Sequence, residues 1–234
     1  MKHLNFIKKD KEGPFASRGQ VSPAVIKRLP RYHRYLGELL RNERMRISSS
    51  ELSELMGVTA SQIRQDLNCF GGFGQQGYGY NVRYLYDKIS ELLGVNAGFS
   101  AIIIGAGNLG RALISSHMFE RRGVRRLALF DIDPELVGKS FAGIPVLHMN
   151  DLPSFVRSEQ VDIAVLTTPK EAAAAVMEEV ISLGIGGIWN FSNTELKSNS
   201  PSTVVQNIHL GDSLMTLCYE LTLHTSKKKV GTES

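Results

Sequence analysis

The chain is poor in several things that would settle its class quickly. It has two cysteines in 234 residues, Cys69 and Cys218. They lie far apart and fit no zinc or C-x-x-C spacing, which excludes a disulfide scaffold and a structural zinc finger. The expectation is two reduced, buried thiols in a cytoplasmic protein. No run approaches the ~18 uncharged apolar residues of a membrane span. The start, MKHLNFIKKDKEG, has lysines but no apolar stretch behind them, which argues against a secretory leader. No HExxH, GxSxG or Cys/His signature is present, and His117, His148, His209 and His224 share no motif spacing. A dehydrogenase needs a proton relay and a substrate pocket. Little chain is left to build them.

Charge is present but unevenly spread. Residues 1–88 carry 15 Lys and Arg against 8 Asp and Glu, a net of +7, whereas residues 89–234 carry 12 against 15, a net of −3. A basic front and a mildly acidic rear point to two domains with different partners, the front one suited to a polyanion such as DNA. Residues 1–20 are a basic arm without periodicity, read as flexible, with a phosphate-touching and a solubilising role both open.

In the front half, Ser22-Pro23 is a helix start, with Ser as cap and Pro where a missing N–H costs nothing. Ile26, Leu29, His33, Leu36 and Leu40 then make one apolar stripe. Pro30 should kink the helix or split off its first turn. Lys27, Arg28, Arg31 and Arg34 lie opposite. A second helix follows, with Ser48 and Glu51 at capping-box spacing, Leu52, Leu55 and Met56 inward, and Gly57 as stop. Thr59 and Gln62 repeat the spacing for a third, with Ile63, Leu67 and Phe70 inward. Two short helices about a glycine turn match helix-turn-helix. Thr59, Ala60, Ser61, Gln62, Arg64, Gln65 and Asn68 would then lie at or near the duplex, while Asp66 is a structural partner because phosphate repels it. The glycine-rich GGFGQQGYGYNV suits a hairpin and a strand at Tyr80–Val82. Its Gln75, Gln76 and Tyr78 would reach DNA alongside Arg28 and Arg31. A winged helix and a helical module that never meets DNA both remain open on these residues alone.

The rear half begins with Ser100–Ile104, feeding into GAGNLG at Gly105–Gly110, a helix from Leu109 to about Glu120, a strand Leu127–Phe130, and Asp131. Strand, glycine turn, helix, strand and acid form the dinucleotide fingerprint. Gly105 makes the tight turn, Gly107 admits the pyrophosphate, and Gly110 lets helix and strand pack. Ala106, Asn108 and Leu109 complete the phosphate turn on a helix N-terminus. Asp131, with Ile132 beside it, would take the adenosine ribose and repel a 2′-phosphate, favouring NAD(H). Val161–Thr167, Lys170–Leu183, Gly187–Phe191 and Val204–Leu210 continue the alternation. Thr167, Thr168, Pro169 and Asn190 are candidates to line the nicotinamide end, and Trp189 belongs to the core. Asp212–His224 is amphipathic through Leu214, Leu217, Cys218 and Leu221, and would pack on its own domain or a partner subunit.

Together SPAVIKRLPRYHRYL, TASQIRQDL, FGGFGQQGYGYNV, GAGNLG with FDIDPELVG, and LTTPKEAA followed by GIWNF resemble the Rex family of redox-sensing transcriptional repressors over residues 20–225. The resemblance implies an α/β chain: an N-terminal winged-helix domain (21–88), a Rossmann-like doubly wound parallel sheet (89–210), a C-terminal helix (211–226) swapped in a homodimer, and a tail (227–234). It also implies a pseudo-palindromic DNA operator, with NADH releasing DNA and NAD+ permitting binding, and no catalysis. Five positions depart from it. Gln65 stands for a lysine and Gln75-Gln76 for a basic pair, which implies altered operator choice. Ser116 stands for a tyrosine and His209 for an aspartate that joins the arginine matched by Arg34, which implies a weakened NADH response. Other readings are an NAD-dependent oxidoreductase with a basic appendage, and a nucleotide- or CoA-binding module without DNA.

Overall fold

The computed structural model describes residues 22–68, 74–75 and 79–230. The chain forms two compact units that divide between Ala97 and Gly98. This is later than the expected boundary at 88, because a helix runs through that point.

The front unit starts with α1 (Pro23–Arg41), where Ser22 Oγ accepts from the Val25 N–H at 3.4 Å. Pro30 lies inside a continuous helix. It is exposed, as is Ile26, whose carbonyl loses the i+4 donor. The buried stripe is Val25, Leu29, Tyr32, Leu36 and Leu39: Leu29 and Leu36 as expected, the other three one residue earlier, and Ile26 is half exposed. A short strand β1 (Arg46–Ile47) leads to α2 (Ser49–Met56). Both halves of the Ser48–Glu51 capping box form, and Gly57 ends α2 at φ 63°. Leu52 and Met56 are buried, whereas Leu55 turns outward.

Helix α3 (Ala60–Asn68) buries Ile63 and Leu67, while Phe70 lies outside the described residues. Strands β2 (Gly74–Gln75) and β3 (Gly79–Asn81) pair antiparallel, and β3 also pairs with β1, giving the order β1-β3-β2. A Cβ on Gly79 would sit 2.7 Å from the Ile47 carbonyl oxygen, so this pairing needs glycine. Val82 begins α4 (Val82–Leu92), capped by Asn81, rather than ending a strand.

The rear unit is a seven-stranded sheet. Its strands are β4 (Ser100–Ile104), β5 (Arg125–Asp131), β6 (Ser140–Phe141), β7 (Ile144–His148), β8 (Ile163–Leu166), β9 (Gly187–Asn190) and β10 (Val204–Asn207). The order is β10-β9-β8-β4-β5-β7-β6, all parallel but for β6 on β7. With β4 first, its six parallel strands run 3-2-1-4-5-6, the doubly wound order. Helices α5 (Asn108–Ser115), α6 (Leu152–Ser158) and α7 (Lys170–Ser182) connect them. Every side chain of β4 is buried, as a central parallel strand covered on both faces requires. Helix α5 stops well short of Glu120: Ser116 Oγ accepts the Met118 N–H and Phe119 turns into the core. Trp189 packs edge-on to Phe119 and Phe191 in that core.

The last helix, α8 (Leu210–Val230), is longer than expected. Every side chain from 210 to 225 is exposed, so the helix is not packed on its own domain in the single chain. Cys218 is therefore an exposed free thiol, contrary to the buried one expected, and Cys69 lies outside the described residues.

Candidate functional site

In the front unit, α2, Gly57 and α3 form the helix-turn-helix. Thr59 Oγ1 accepts the Gln62 N–H at 3.2 Å, but the Gln62 amide turns forward to Asp66, so this second capping box is half made. Ser61, Arg64, Gln65 and Asn68 are exposed on one side of α3, with Thr59 exposed at its start. Arg64 Nη1 donates to Ser49 Oγ at 3.0 Å. Gln75 belongs to β2, and Gln76 and Tyr78 lie outside the described residues.

Asp66 is fully buried and accepts four hydrogen bonds: Arg28 Nε at 2.6 Å and Nη2 at 2.7 Å, Tyr32 Oη at 2.9 Å, and Gln62 Nε2 at 2.7 Å. Burial alone would raise its pKa. The bonds from Arg28, Gln62 and Tyr32 outweigh that and hold the carboxyl below its ordinary range. Tyr32, buried with its hydroxyl on Asp66, is pushed well above an ordinary tyrosine. Arg31 Nη2 donates to the Met56 carbonyl at 2.6 Å. Two arginines expected at DNA thus have partners within the front unit, Arg28 partly buried and Arg31 exposed. Sequence reasoning made Asp66 a structural partner but missed its donors, although Arg28/Tyr32 and Gln62/Asp66 each have the i, i+4 spacing that puts both members on one helix face.

In the rear unit, the turn after β4 meets the end of β8 at the point where strand order reverses, the usual ligand crevice of such sheets. Gly105 has φ +103°, and a Cβ there would lie 2.9 Å from Thr167. A Cβ on Gly110 would lie 2.0 Å from the Gly105 carbonyl oxygen, whereas one on Gly107 meets nothing within 4 Å. The second glycine therefore faces open space at the start of α5, whose N-terminus has no side-chain cap. Ala106 is buried, and Asn108, which receives Arg111 Nη2 at 2.6 Å, and Leu109 begin the helix.

Asp131 accepts the Ala106 N–H at 2.5 Å and those of Ile132 and Asp133 at 2.8 and 3.0 Å. It locks the turn and retains acceptor capacity, since a carboxylate offers about four lone-pair directions. Ile132 is 74% exposed beside it. Thr167 Oγ1 donates to the Ile104 and Gly105 carbonyls at 3.1 and 2.8 Å, which makes it a strut beneath the turn. Thr168 Oγ1 is buried without a partner, and exposed Pro169 precedes α7. Asn190 is buried and internally engaged: its amide donates to the Thr194 carbonyl and Asn207, and its oxygen accepts Ser192. It organises the loop after β9 and presents no free group. The open Gly107 face, the uncapped α5 and the unpartnered Thr168 hydroxyl fit a bound dinucleotide.

The remaining candidates fall on both units. Arg34 lies over the Tyr35 ring at 5.2 Å in the front unit. In the rear unit, Ser116 caps the end of α5 and His209 Nε2 is 3.1 Å from Glu195 Oε2. Among the described residues, no His, Cys, Asp and Glu group could hold a metal ion, and no helix is long and apolar enough to cross a membrane.

A helix-turn-helix with a strand pair behind it and a doubly wound sheet with its glycine turn intact define a winged-helix regulator joined to a nucleotide-binding domain. Family models agree on both parts. "Putative DNA-binding protein N-terminus" matches residues 20–68, and "CoA binding domain" matches residues 96–194. A redox-sensing transcriptional repressor Rex of Clostridium botulinum is 50% identical over 86% of this chain and 95% of the relative. That of Thermoanaerobacter pseudethanolicus is 48% identical over 92% and 96%. The chain is similar to the crystal structure of RSP in complex with beta-NAD+ and operator DNA (TM-score 0.82, 47% identity, 93% of this chain and 100% of that one). It is equally similar to RSP in complex with beta-NADH (TM-score 0.82, 45% identity, 91% and 100%). The chain belongs to the Rex family of redox-sensing transcriptional repressors. Its members are regulators and not enzymes, which sets the oxidoreductase reading aside.

Proposed function

We propose that this chain is a cytoplasmic transcriptional repressor that binds operator DNA through its front unit and reads the NADH/NAD+ ratio through its rear unit. The observation that carries the reading is the pairing of an exposed α3 with an intact Gly105–Gly110 turn, in a chain half identical to Rex repressors. Thr59, Ser61, Arg64, Gln65 and Asn68 meet the duplex, aided by the wing at Gln75, Gln76 and Tyr78. The pyrophosphate lies over Gly107, Asn108 and Leu109 at the start of α5, where free N–H groups and the helix dipole favour an anion. Asp131 takes the adenosine ribose, with Ile132 against the adenine, while Thr168 and Pro169 face the nicotinamide half. The dinucleotide supplies the redox state, and this chain's residues only distinguish its two forms.

The exposed apolar residues of α8, Leu214, Met215, Leu217 and Leu221, suit burial in a homodimer, and a two-fold dimer suits a pseudo-palindromic operator. NADH must favour the conformer that releases DNA, and DNA must by linkage weaken NADH equally. Duplex binding of the purified chain without nucleotide, with NAD+ and with NADH, at one stated salt concentration, tests this. Binding that ignores both nucleotides overturns it.

Two features distinguish this chain. Gln65 and the Gln75-Gln76 pair remove positive charge from both reading elements, and glutamine pairs with adenine, so the selected operator differs from that of relatives carrying lysine there. His209 engages Glu195 and, when protonated, repels an arginine, so the NADH response through Arg34, Ser116 and His209 is weakened. Release at NADH concentrations as low as in a responsive relative contradicts the second point.

A further inference from the structure

We propose that Arg28 and Arg31, one helical turn apart on α1, are positioning residues that fix α3 against α2 and so set the preference for one duplex sequence, without touching the duplex themselves. The proposal rests on the DNA-binding reading of the front unit. Arg28 holds Asp66 with a two-pronged contact, Nε to Oδ2 and Nη2 to Oδ1 at 2.6 and 2.7 Å, which fixes rotation as well as distance. Tyr32 and Gln62 occupy further acceptor sites of the same carboxylate. The Arg28 side chain is 26% exposed and that of Asp66 is fully buried. Arg31 meanwhile donates to Met56, the last residue of α2 before the left-handed turn at Gly57. Both helices of the helix-turn-helix are therefore referenced to the same turn of α1.

Rotation matters here more than stability. Asp66 points inward while Ser61, Arg64, Gln65 and Asn68 point out. A roll of α3 about its axis would carry all four away together, and paired hydrogen bonds to base edges tolerate little misalignment. A buried ion pair is a weak source of net stability and a better device for holding one arrangement. The consequence differs from that of a phosphate contact. A side chain that touches phosphate contributes about 0.9 to the slope of log affinity against log salt, for any sequence. A positioning pair contributes nothing to that slope and acts on sequence preference alone.

The test uses the full chain and two duplexes: the sequence it enriches from a random library, and a scrambled duplex of the same composition. Arg28→Met with Asp66→Leu replaces the pair by apolar groups at unchanged net charge. We expect an unchanged far-UV spectrum, unchanged scrambled-duplex affinity and salt slope, and a preference reduced at least about tenfold. Preference retained, or a slope shallower by about 0.9, overturns the proposal. Should the double variant not fold, Arg28→Lys keeps the charge and loses the fork. Preference falling at constant slope supports the proposal, and an unchanged preference overturns it. Arg64→Ala is the contrast, lowering affinity for both duplexes and the slope together. A wild-type chain that binds neither duplex removes the DNA-binding reading, and this proposal with it.

Discussion

In the front unit the buried carboxylate of Asp66 accepts four hydrogen bonds, whereas in the rear unit the buried hydroxyl of Thr168 has none. Helix α2 is capped at both ends, by the Ser48–Glu51 box and by Gly57, while α5 starts at Gly107 with no side-chain cap. The module that reads a large external lattice is completed internally and offers its side chains on a fixed frame. The module that closes on a small ligand keeps polar positions open. Rigidity serves a reader, and unfinished polar groups serve a receptor.

The largest effect that would break this contrast is Asp66→Ala. It leaves the buried Tyr32 hydroxyl and the partly exposed Arg28 guanidinium without their acceptor, which costs about 3 kcal/mol. Urea unfolding followed by hydrogen exchange in residues 22–68 should show the loss confined to the front unit, with Trp189 fluorescence of the rear unit unmoved. The rear counterpart is Gly110→Ala. Its Cβ would fall 2.0 Å from the Gly105 carbonyl, so the turn must shift. Overpacking of this kind costs about 1–3 kcal/mol or more. NADH affinity should fall about ten- to a hundredfold by titration, the loss expected when backbone donors leave a charged group, while binding of a scrambled duplex is kept.

Acid sharpens the comparison further. The Ser48 N–H, then Arg44, then the Ser48 hydroxyl hold Glu51 down from 4.5 to about 2. A depressed carboxylate stabilises the fold above its unfolded value and loses that contribution as pH falls through the folded one. Asp66 is lowered too. The front unit should therefore weaken as pH drops from about 4.5 to about 2. Glu51→Gln should flatten part of that fall, as read by exchange in α2.

What could be read from sequence was local. Ser22, Ser48, Glu51 and Gly57 sit where short-range capping rules place them, and Ser100–Ile104 with its glycine turn needs only neighbours to be recognised. What escaped depended on distant partners. Leu29 and Leu36 of α1 are buried as expected, but Tyr32, which reaches Asp66 34 positions away, takes the inward place expected for His33. Asn190 looked like a ligand group at a strand end, but Thr194 and Asn207 claim its amide. Strand β1 has two residues, too few for any periodicity to show, and α4 follows β3 without a linker to announce it.

The smallest effect is also the one with two opposed signs. Thr168 buries its hydroxyl unpartnered, and such a group costs about 1–3 kcal/mol in desolvation. Valine fills nearly the same space without it. In the absence of nucleotide, Thr168→Val should therefore stabilise the rear unit by about 1 kcal/mol, seen as a later thermal transition of Trp189 fluorescence. If the hydroxyl is completed by the nicotinamide half of the ligand, the same change must weaken NADH. ADP-ribose, which lacks that half, should bind as before. A later transition with unaltered NADH affinity would make the hydroxyl an idle defect of packing, and an earlier transition would mean that water already satisfies it. Only the first pattern, gain without ligand and loss with it, keeps the rear unit on the receptor side of the comparison.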